Sequence, residues 1–267
     1  MLHALRSHWP EYLAEAWGLG IFMVAAGLAA LLVEIPTSPL YTLIHDADLR
    51  QALRGIAMGL TAIGVIYSPW GKRSGAHFNP AVTLVFLRLG KIAKWDALFY
   101  VLAQFIGGML GVLLMLLLFG DSFALPPVSY IVTVPGPPGD WLAFAAELLI
   151  SLGLMLAVLI LMNHKNLRHM TGLASGVLLA LFITLEAPLS GTSMNPARSF
   201  ASAIFGGNWA SMWIYLSAPF LGMLAAVDVY HLLKFSTARM CAKLYHADGR
   251  RCIHCGYEPQ SAKENLK

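Results

Sequence analysis

Asn-Pro-Ala occurs twice in this chain, as Asn79-Pro80-Ala81 and Asn195-Pro196-Ala197, and each copy follows one apolar stretch and opens another too short to cross a bilayer. Asn is a strong helix N-cap, and Pro is favoured at the first helical position, where its missing N–H costs nothing. Two short helices are therefore predicted, over 80–89 and 196–205, ending at Gly90 and at Gly206-Gly207. Ten residues at about 1.5 Å rise give about 15 Å, half of a hydrocarbon core of about 30 Å. Two such half-helices, one from each face, would meet at the midplane. There the Asn amides could direct N–H donors at a passing molecule, and each helix N-terminus would add about half a positive charge. That arrangement suits a small neutral hydrogen-bonding solute such as water: it breaks a proton-relaying chain and repels cations.

Other side chains at membrane depth need a reason to be there. Arg198, directly after the second Asn-Pro-Ala, costs several kcal/mol in lipid unless it faces a wet cavity, so it is read as functional, with an ion pair to Glu186 as the structural alternative. Glu15 and Glu147, each early in the first span of its half, must face protein. His77 is read as bracing the first loop, whereas Gln104 and Asp228 are read as a packing and a solvated residue. In the tail, Cys241, His246, Cys252, His254 and Cys255 fall close together, and Cys252-Ile253-His254-Cys255 has the spacing of half a zinc ribbon. One C-x-x-C is a weak signal, so Cys241, His246, Cys252 and Cys255 stand only as candidates and no metal or cofactor is assigned. With every Cys in the tail, a disulfide role is not expected.

The elements that must hold these residues are membrane helices. Hydrophobic residues make up 58 % of the 267-residue chain and charged residues 12 %, about half the charged share of a soluble domain. Apolar runs near 12–33, 52–68, 97–119, 142–162, 172–185 and 212–233 are long enough, or nearly so, to span. The first run is a full span leading into an acidic loop, so no cleavable signal peptide is expected. Six spans put both termini on one side. Lys72, Arg73, Arg88, Lys91, Lys94, Lys165, Arg168 and Lys234 fall on that side, while Glu34, Asp46, Asp48, Asp121, Asp140 and Glu186 fall on the other. The positive-inside rule then predicts a multi-pass protein of the cell membrane with both termini cytoplasmic. The net charge of +4 is a topology signal, and no basic soluble domain exists to bind nucleic acid.

The chain is also a duplicated unit. Gly55-Ile56-Ala57-Met58-Gly59 matches Gly172-Leu173-Ala174-Ser175-Gly176, and Ala103-Gln104-Phe105-Ile106-Gly107 matches Ala218-Pro219-Phe220-Leu221-Gly222. Three spans per half make the copies antiparallel, an inverted repeat with its site at the midplane. The Gly-x-x-x-Gly pairs Gly55/Gly59, Gly107/Gly111 and Gly172/Gly176 read as close helix packing. The predicted organisation is a first repeat over 1–125, a second over 126–235 opened by a Pro/Gly-rich connector at 126–139, and a cytoplasmic tail over 236–267. The fold class is an all-α membrane protein of six transmembrane helices plus two re-entrant half-helices in an inverted 3+3 repeat.

The loops Ser74-Gly75-Ala76-His77-Phe78-Asn79-Pro80-Ala81-Val82-Thr83 and Ser193-Met194-Asn195-Pro196-Ala197-Arg198-Ser199-Phe200 resemble the two signature loops of the aquaporin, or major intrinsic protein, family. The resemblance covers roughly residues 11–233. It implies a non-enzymatic passive channel for water, with small neutral solutes such as glycerol, ammonia or hydrogen peroxide as further permeants, in a homotetramer in the lipid bilayer. It also implies that Glu15 and Glu147 accept hydrogen bonds from the re-entrant backbones, and that Arg198 belongs to an outer constriction. The remaining constriction positions fall on Ile183, where water-selective members carry His, on Thr192, and on Met58 or its neighbour Gly59. Ile in place of an imidazole removes a polar group and leaves more apolar wall. Ser199 and Ala203 stand where glycerol facilitators carry Asp and a basic residue, and Tyr215-Leu216 is mixed. A glycerol or small-solute facilitator is thus the alternative reading, and a secondary transporter is a remoter one because coupling acid or His pairs are missing. An intramembrane enzyme fails for want of a partner to His77. Nothing after Phe235 looks apolar enough to enter the bundle, so the tail is predicted to be dispensable.

Overall fold

The computed structural model describes residues 1–235, 241–246 and 251–257, and among them there is no β-strand. In chain order the helices are α1 (Leu2–Glu34), α2 (Pro39–Leu43), α3 (Ala47–Tyr67), α4 (Pro69–Ser74), α5 (Pro80–Arg88), α6 (Lys94–Phe119), α7 (Asp121–Ala124), α8 (Asp140–Asn163), α9 (Thr171–Leu185), α10 (Ala187–Ser190), α11 (Pro196–Gly206) and α12 (Met212–Leu232). Six of these, α1, α3, α6, α8, α9 with its leading 3-10 turn, and α12, are long and apolar enough to cross a membrane. The half-helices α5 and α11 end within a residue of the predicted stops. Helices satisfy their own backbone groups, the condition for crossing lipid, so large apolar side chains such as Leu28, Leu110, Leu114 and Leu181 can point outward without cost.

Two helices begin a full turn or more before their apolar runs. α1 extends back to Leu2 through Pro10, held because His8 and Tyr12 both reach the buried Asp96 carboxylate on α6, at 2.8 and 2.6 Å. α3 begins at Ala47 because Asp46 caps it, accepting from the Leu49 N–H at 2.8 Å.

The halves correspond as α1 to α8, α3 to α9, α5 to α11 and α6 to α12. α1 packs along α6, α8 along α12, and α3 along α9 across the repeat interface. Each half-helix also packs on the last span of the opposite repeat, α11 on α6 and α5 on α12, which ties the halves together. Small residues permit these contacts: a Cβ on Gly59 would stand 2.5 Å from the Gly176 carbonyl oxygen, and one on Gly176 would stand 2.5 Å from that of Gly59.

Candidate pore

Each re-entrant loop doubles back through residues in left-handed backbone conformations. Gly75, Ala76 and Phe78 have φ of 106°, 60° and 47°, and the second loop repeats the pattern at Gly191, Thr192 and Met194 with 81°, 50° and 50°. Non-glycine residues adopt this region at a cost of about 1–3 kcal/mol each, so something must hold them. Two buried carboxylates do. Glu15 on α1 accepts from the His77 and Phe78 N–H groups at 3.1 and 2.6 Å, and Glu147 on α8 accepts from Ser193 and Met194 at 2.5 and 2.7 Å. Ser190 adds its hydroxyl to Glu147 at 2.8 Å.

The bracing has a second layer absent from the sequence expectations. Ser74 Oγ accepts from the Ala76 N–H and Ser190 Oγ from the Thr192 N–H, both at 3.1 Å, while Tyr100 and Tyr215 hydroxyls donate to the Ser74 and Ser190 carbonyls at 2.7 Å each. A Ser-Gly pair five residues before each Asn was the signal. Gln104 is not mere packing: its Nε2 donates to Glu15 at 2.8 Å and to Thr83 Oγ1 at 3.1 Å. The second repeat has Pro219 at the matching position and cannot copy this. Asp228 is likewise not a lone solvated group, since its carboxylate accepts from Arg88 Nη2 at 2.5 Å and Nη1 at 3.1 Å.

The two half-helix tips meet. Asn79 Oδ1 accepts from the Ala81 N–H at 2.8 Å, and Asn195 Oδ1 accepts from the Ala197 and Arg198 N–H groups at 3.1 and 3.3 Å. With each oxygen held by its own helix, each amide nitrogen turns outward. Asn79 Nδ2 donates to the Met194 carbonyl at 2.7 Å and Asn195 Nδ2 to the Phe78 carbonyl at 2.8 Å. From sequence the Asn amides were expected to direct donors toward the midplane; in the structure one N–H of each joins the loops. An amide carries two hydrogens, so one donor per Asn remains for the cavity both line. That cavity, about 120 Å³, is walled mostly by apolar groups such as Phe22, Val82, Met155 and Leu179, with His77, Ser175 and Ser193 as its other polar side chains.

A wider vestibule of about 640 Å³ opens on the face away from the termini and shares Phe22, Leu179 and Ser193 with the inner cavity. Met58, Ile183, Thr192 and Arg198 all line it. Of the two alternatives on α3, Met58 lines this cavity, while Gly59 lies against Gly176. Arg198 does not pair with Glu186. Its Nη1 donates to Thr133 Oγ1, and the Glu186 carboxylate instead accepts from Thr192 Oγ1 at 2.5 Å. Arg54 pairs with Glu34 on the same vestibule wall. Thr133 was missed because it lies in the connector, which has no periodicity. There it also bonds Ser199 Oγ at 2.8 Å, and Ser199 in turn bonds Ser193 Oγ at 2.6 Å.

The tail departs most from expectation. Among the described residues of 236–267, Ala242 and Leu244 are buried in the main apolar cluster, and Leu244 lines the inner cavity with His77 and Asn79. His77 braces the loop through Nδ1, 3.0 Å from Thr83 Oγ1, and its Nε2 donates to the Ala242 carbonyl at 2.7 Å. His254 Nε2 lies 3.0 Å from the Ser74 carbonyl oxygen, and burial holds its pKa below the ordinary value. Cys241, His246, Cys252 and Cys255 converge on one another, and His254 does not join them.

Residues 3–230 match the family model described as Major intrinsic protein. Aquaporin NIP1-1 of Arabidopsis thaliana is 33 % identical over 80 % of this chain and 71 % of its own length. Aquaporin NIP1-2 of Oryza sativa subsp. japonica is 32 % identical over 84 % of this chain and 71 % of its own. Among solved structures, the aquaglyceroporin from Plasmodium falciparum superposes with a TM-score of 0.69 at 22 % identity, covering 84 % of this chain and 96 % of that one, which shows a common fold. With the family model spanning the bundle almost from end to end and relatives above 30 % identity covering four fifths of the chain, this protein belongs to the major intrinsic protein family and is a passive membrane channel, not an enzyme.

Proposed function

We propose that this channel passes water in single file between Asn79 and Asn195 and admits small uncharged solutes through a constriction formed by Met58, Ile183, Thr192 and Arg198. The observation that carries the reading is the pair of cross-bridged Asn caps, each with one remaining donor, at the N-termini of two opposed half-helices in one cavity. A water accepting from both amides has its hydrogens turned outward, and the positive helix ends oppose hydronium and metal cations. Arg198 supplies a fixed cationic donor at the constriction. Ile183 and Met58 supply apolar wall, which favours small neutral organic solutes as co-permeants beside water.

The basic residues on the face of the termini support cytoplasmic termini in a cell-membrane protein, and family resemblance supports a homotetramer. Volume changes of proteoliposomes in sucrose, glycerol, urea and hydrogen peroxide gradients test the selectivity. Ile183→His should lower the glycerol-to-water permeability ratio; an unchanged ratio would remove Ile183 from the constriction.

A further inference from the structure

Cys241, His246, Cys252 and Cys255 have no part in the pore, yet their ligand atoms all lie within 4.8 Å of one another. Cys241 Sγ is 3.5 Å from Cys252 Sγ, and Cys255 Sγ is 3.3 Å from His246 Nε2. Around a tetrahedral zinc ion with Zn–S near 2.3 Å and Zn–N near 2.0 Å, S···S edges are about 3.8 Å and S···N edges about 3.5 Å. The observed separations are close to those edges. All three cysteines are free thiols, and three thiols with an imidazole form a donor set that suits zinc and excludes magnesium or calcium.

The backbone supports the same reading independently. Cys252 N–H donates to the Tyr257 carbonyl at 2.9 Å and Gly256 N–H donates back to Cys252 at 3.1 Å, with Gly256 at φ 69°. This tight turn, directly after the C-x-x-C, carries both of its thiols into one cluster. The Tyr257 ring stands edge-on to His246 with centroids 5.3 Å apart.

The segment so organised is fastened to the first re-entrant loop. Besides the His77 contact to Ala242, the Leu244 N–H donates to the Gly75 carbonyl at 3.0 Å and Lys243 Nζ to the Lys72 carbonyl at 3.1 Å. Approach is close enough that a Cβ on Gly75 would stand 2.7 Å from the Ala242 oxygen. On the opposite face the connector takes the equivalent place, since a Cβ on Gly191 would meet Thr133 at 2.9 Å and the Val134 oxygen at 3.1 Å. There a wide vestibule remains, whereas on the face of the termini Leu244 lines the narrow cavity that the Asn pair also lines.

We propose that Cys241, His246, Cys252 and Cys255 bind one zinc-class divalent ion, which holds residues 241–246 as a plug with Leu244 in the pore mouth, so that metal occupancy closes the channel and metal loss opens it. A tail segment this short has little core of its own, and a tetrahedral site supplies the missing folding energy. The closure half rests on the channel reading; the metal half does not.

The test uses the full-length protein in proteoliposomes with Zn²⁺, with Co²⁺ as a spectroscopic probe, and with a chelator. One metal ion per chain is expected, with thiolate-to-Co²⁺ charge transfer and the intense ligand-field bands of a tetrahedral site, both lost in Cys252→Ser/Cys255→Ser. Water flux should rise several-fold on chelation and in that double variant. Leu244→Ala should keep the metal but conduct when loaded. Substoichiometric metal or an octahedral Co²⁺ spectrum overturns the site. Full occupancy with flux indifferent to chelator and to Leu244→Ala overturns the plug. Absence of flux in every state, chelated Leu244→Ala included, overturns closure together with the channel reading while leaving the metal site standing.

Discussion

Glu147→Ala isolates what holds the outer re-entrant loop. The Glu147 side chain is fully buried and accepts from two backbone N–H groups and the Ser190 hydroxyl. The hydroxyl can rotate to another acceptor, but the Ser193 and Met194 N–H groups cannot. An orphaned buried donor costs about 1–3 kcal/mol, so the two amides together place the loss at about 2–6 kcal/mol. Thr192 and Met194, held at φ 50°, would then be free to relax and draw the Asn195 cap away from Phe78. A neighbouring control separates this from general damage to α8. Ser151, one helical turn on, is fully buried with an Oγ that has no partner among the described residues, so Ser151→Ala should be neutral or stabilising by about 1 kcal/mol. The assay pairs reversible unfolding in mixed micelles with water flux per folded protein. Glu147→Ala within about 1 kcal/mol of the parent and conducting normally would refute the reasoning, because two uncompensated buried amides cannot cost so little.

Three further outcomes follow from the same geometry. Thr133→Val keeps the shape but removes the acceptor for Arg198, a charge-assisted bond of about 1.5–3 kcal/mol; glycerol and cation leak should increase, less than in Arg198→Ala, and equal selectivity would show that Thr133 does not position the guanidinium. Gly59→Ala should destabilise strongly, since its Cβ would meet backbone at 2.5 Å. By contrast, Gly64→Ala meets nothing within 4 Å and should stabilise by about 0.5–1 kcal/mol through the helix preference of Ala; melting both variants checks the pair.

The residues readable from sequence were those whose role is local or repeated. An Asn before Pro declares its own cap, and two copies with antiparallel spans predict where the caps meet. That Glu15 and Glu147 face protein was readable because a carboxylate is costly in lipid, while the re-entrant backbones as their partners were implied by the family resemblance. Met58 against Gly59 was not readable, because one residue is a rotation of about 100° on a helix and no local pattern sets that phase. Thr133 was not, since the connector carries neither period nor repeat. Gln104 breaks the symmetry of the repeats, so comparing halves hid its bond to Glu15. Leu244 was lost for a related reason: scattered apolar residues in a polar tail make no amphipathic signal, and its burial depends on the apolar cluster that holds Val82 and on the Gly75 carbonyl its N–H meets, both distant in sequence.

The central claim is that Asn79 and Asn195 conduct a neutral solute while interrupting protons. Osmotic water permeability and proton flux should be measured on the same proteoliposomes, with and without chelator. With chelator present, water permeability well above that of protein-free liposomes, linear in the gradient and without protein-dependent proton entry, is the predicted result; proton uptake rising in step with water, or flux that saturates with the gradient, would contradict it.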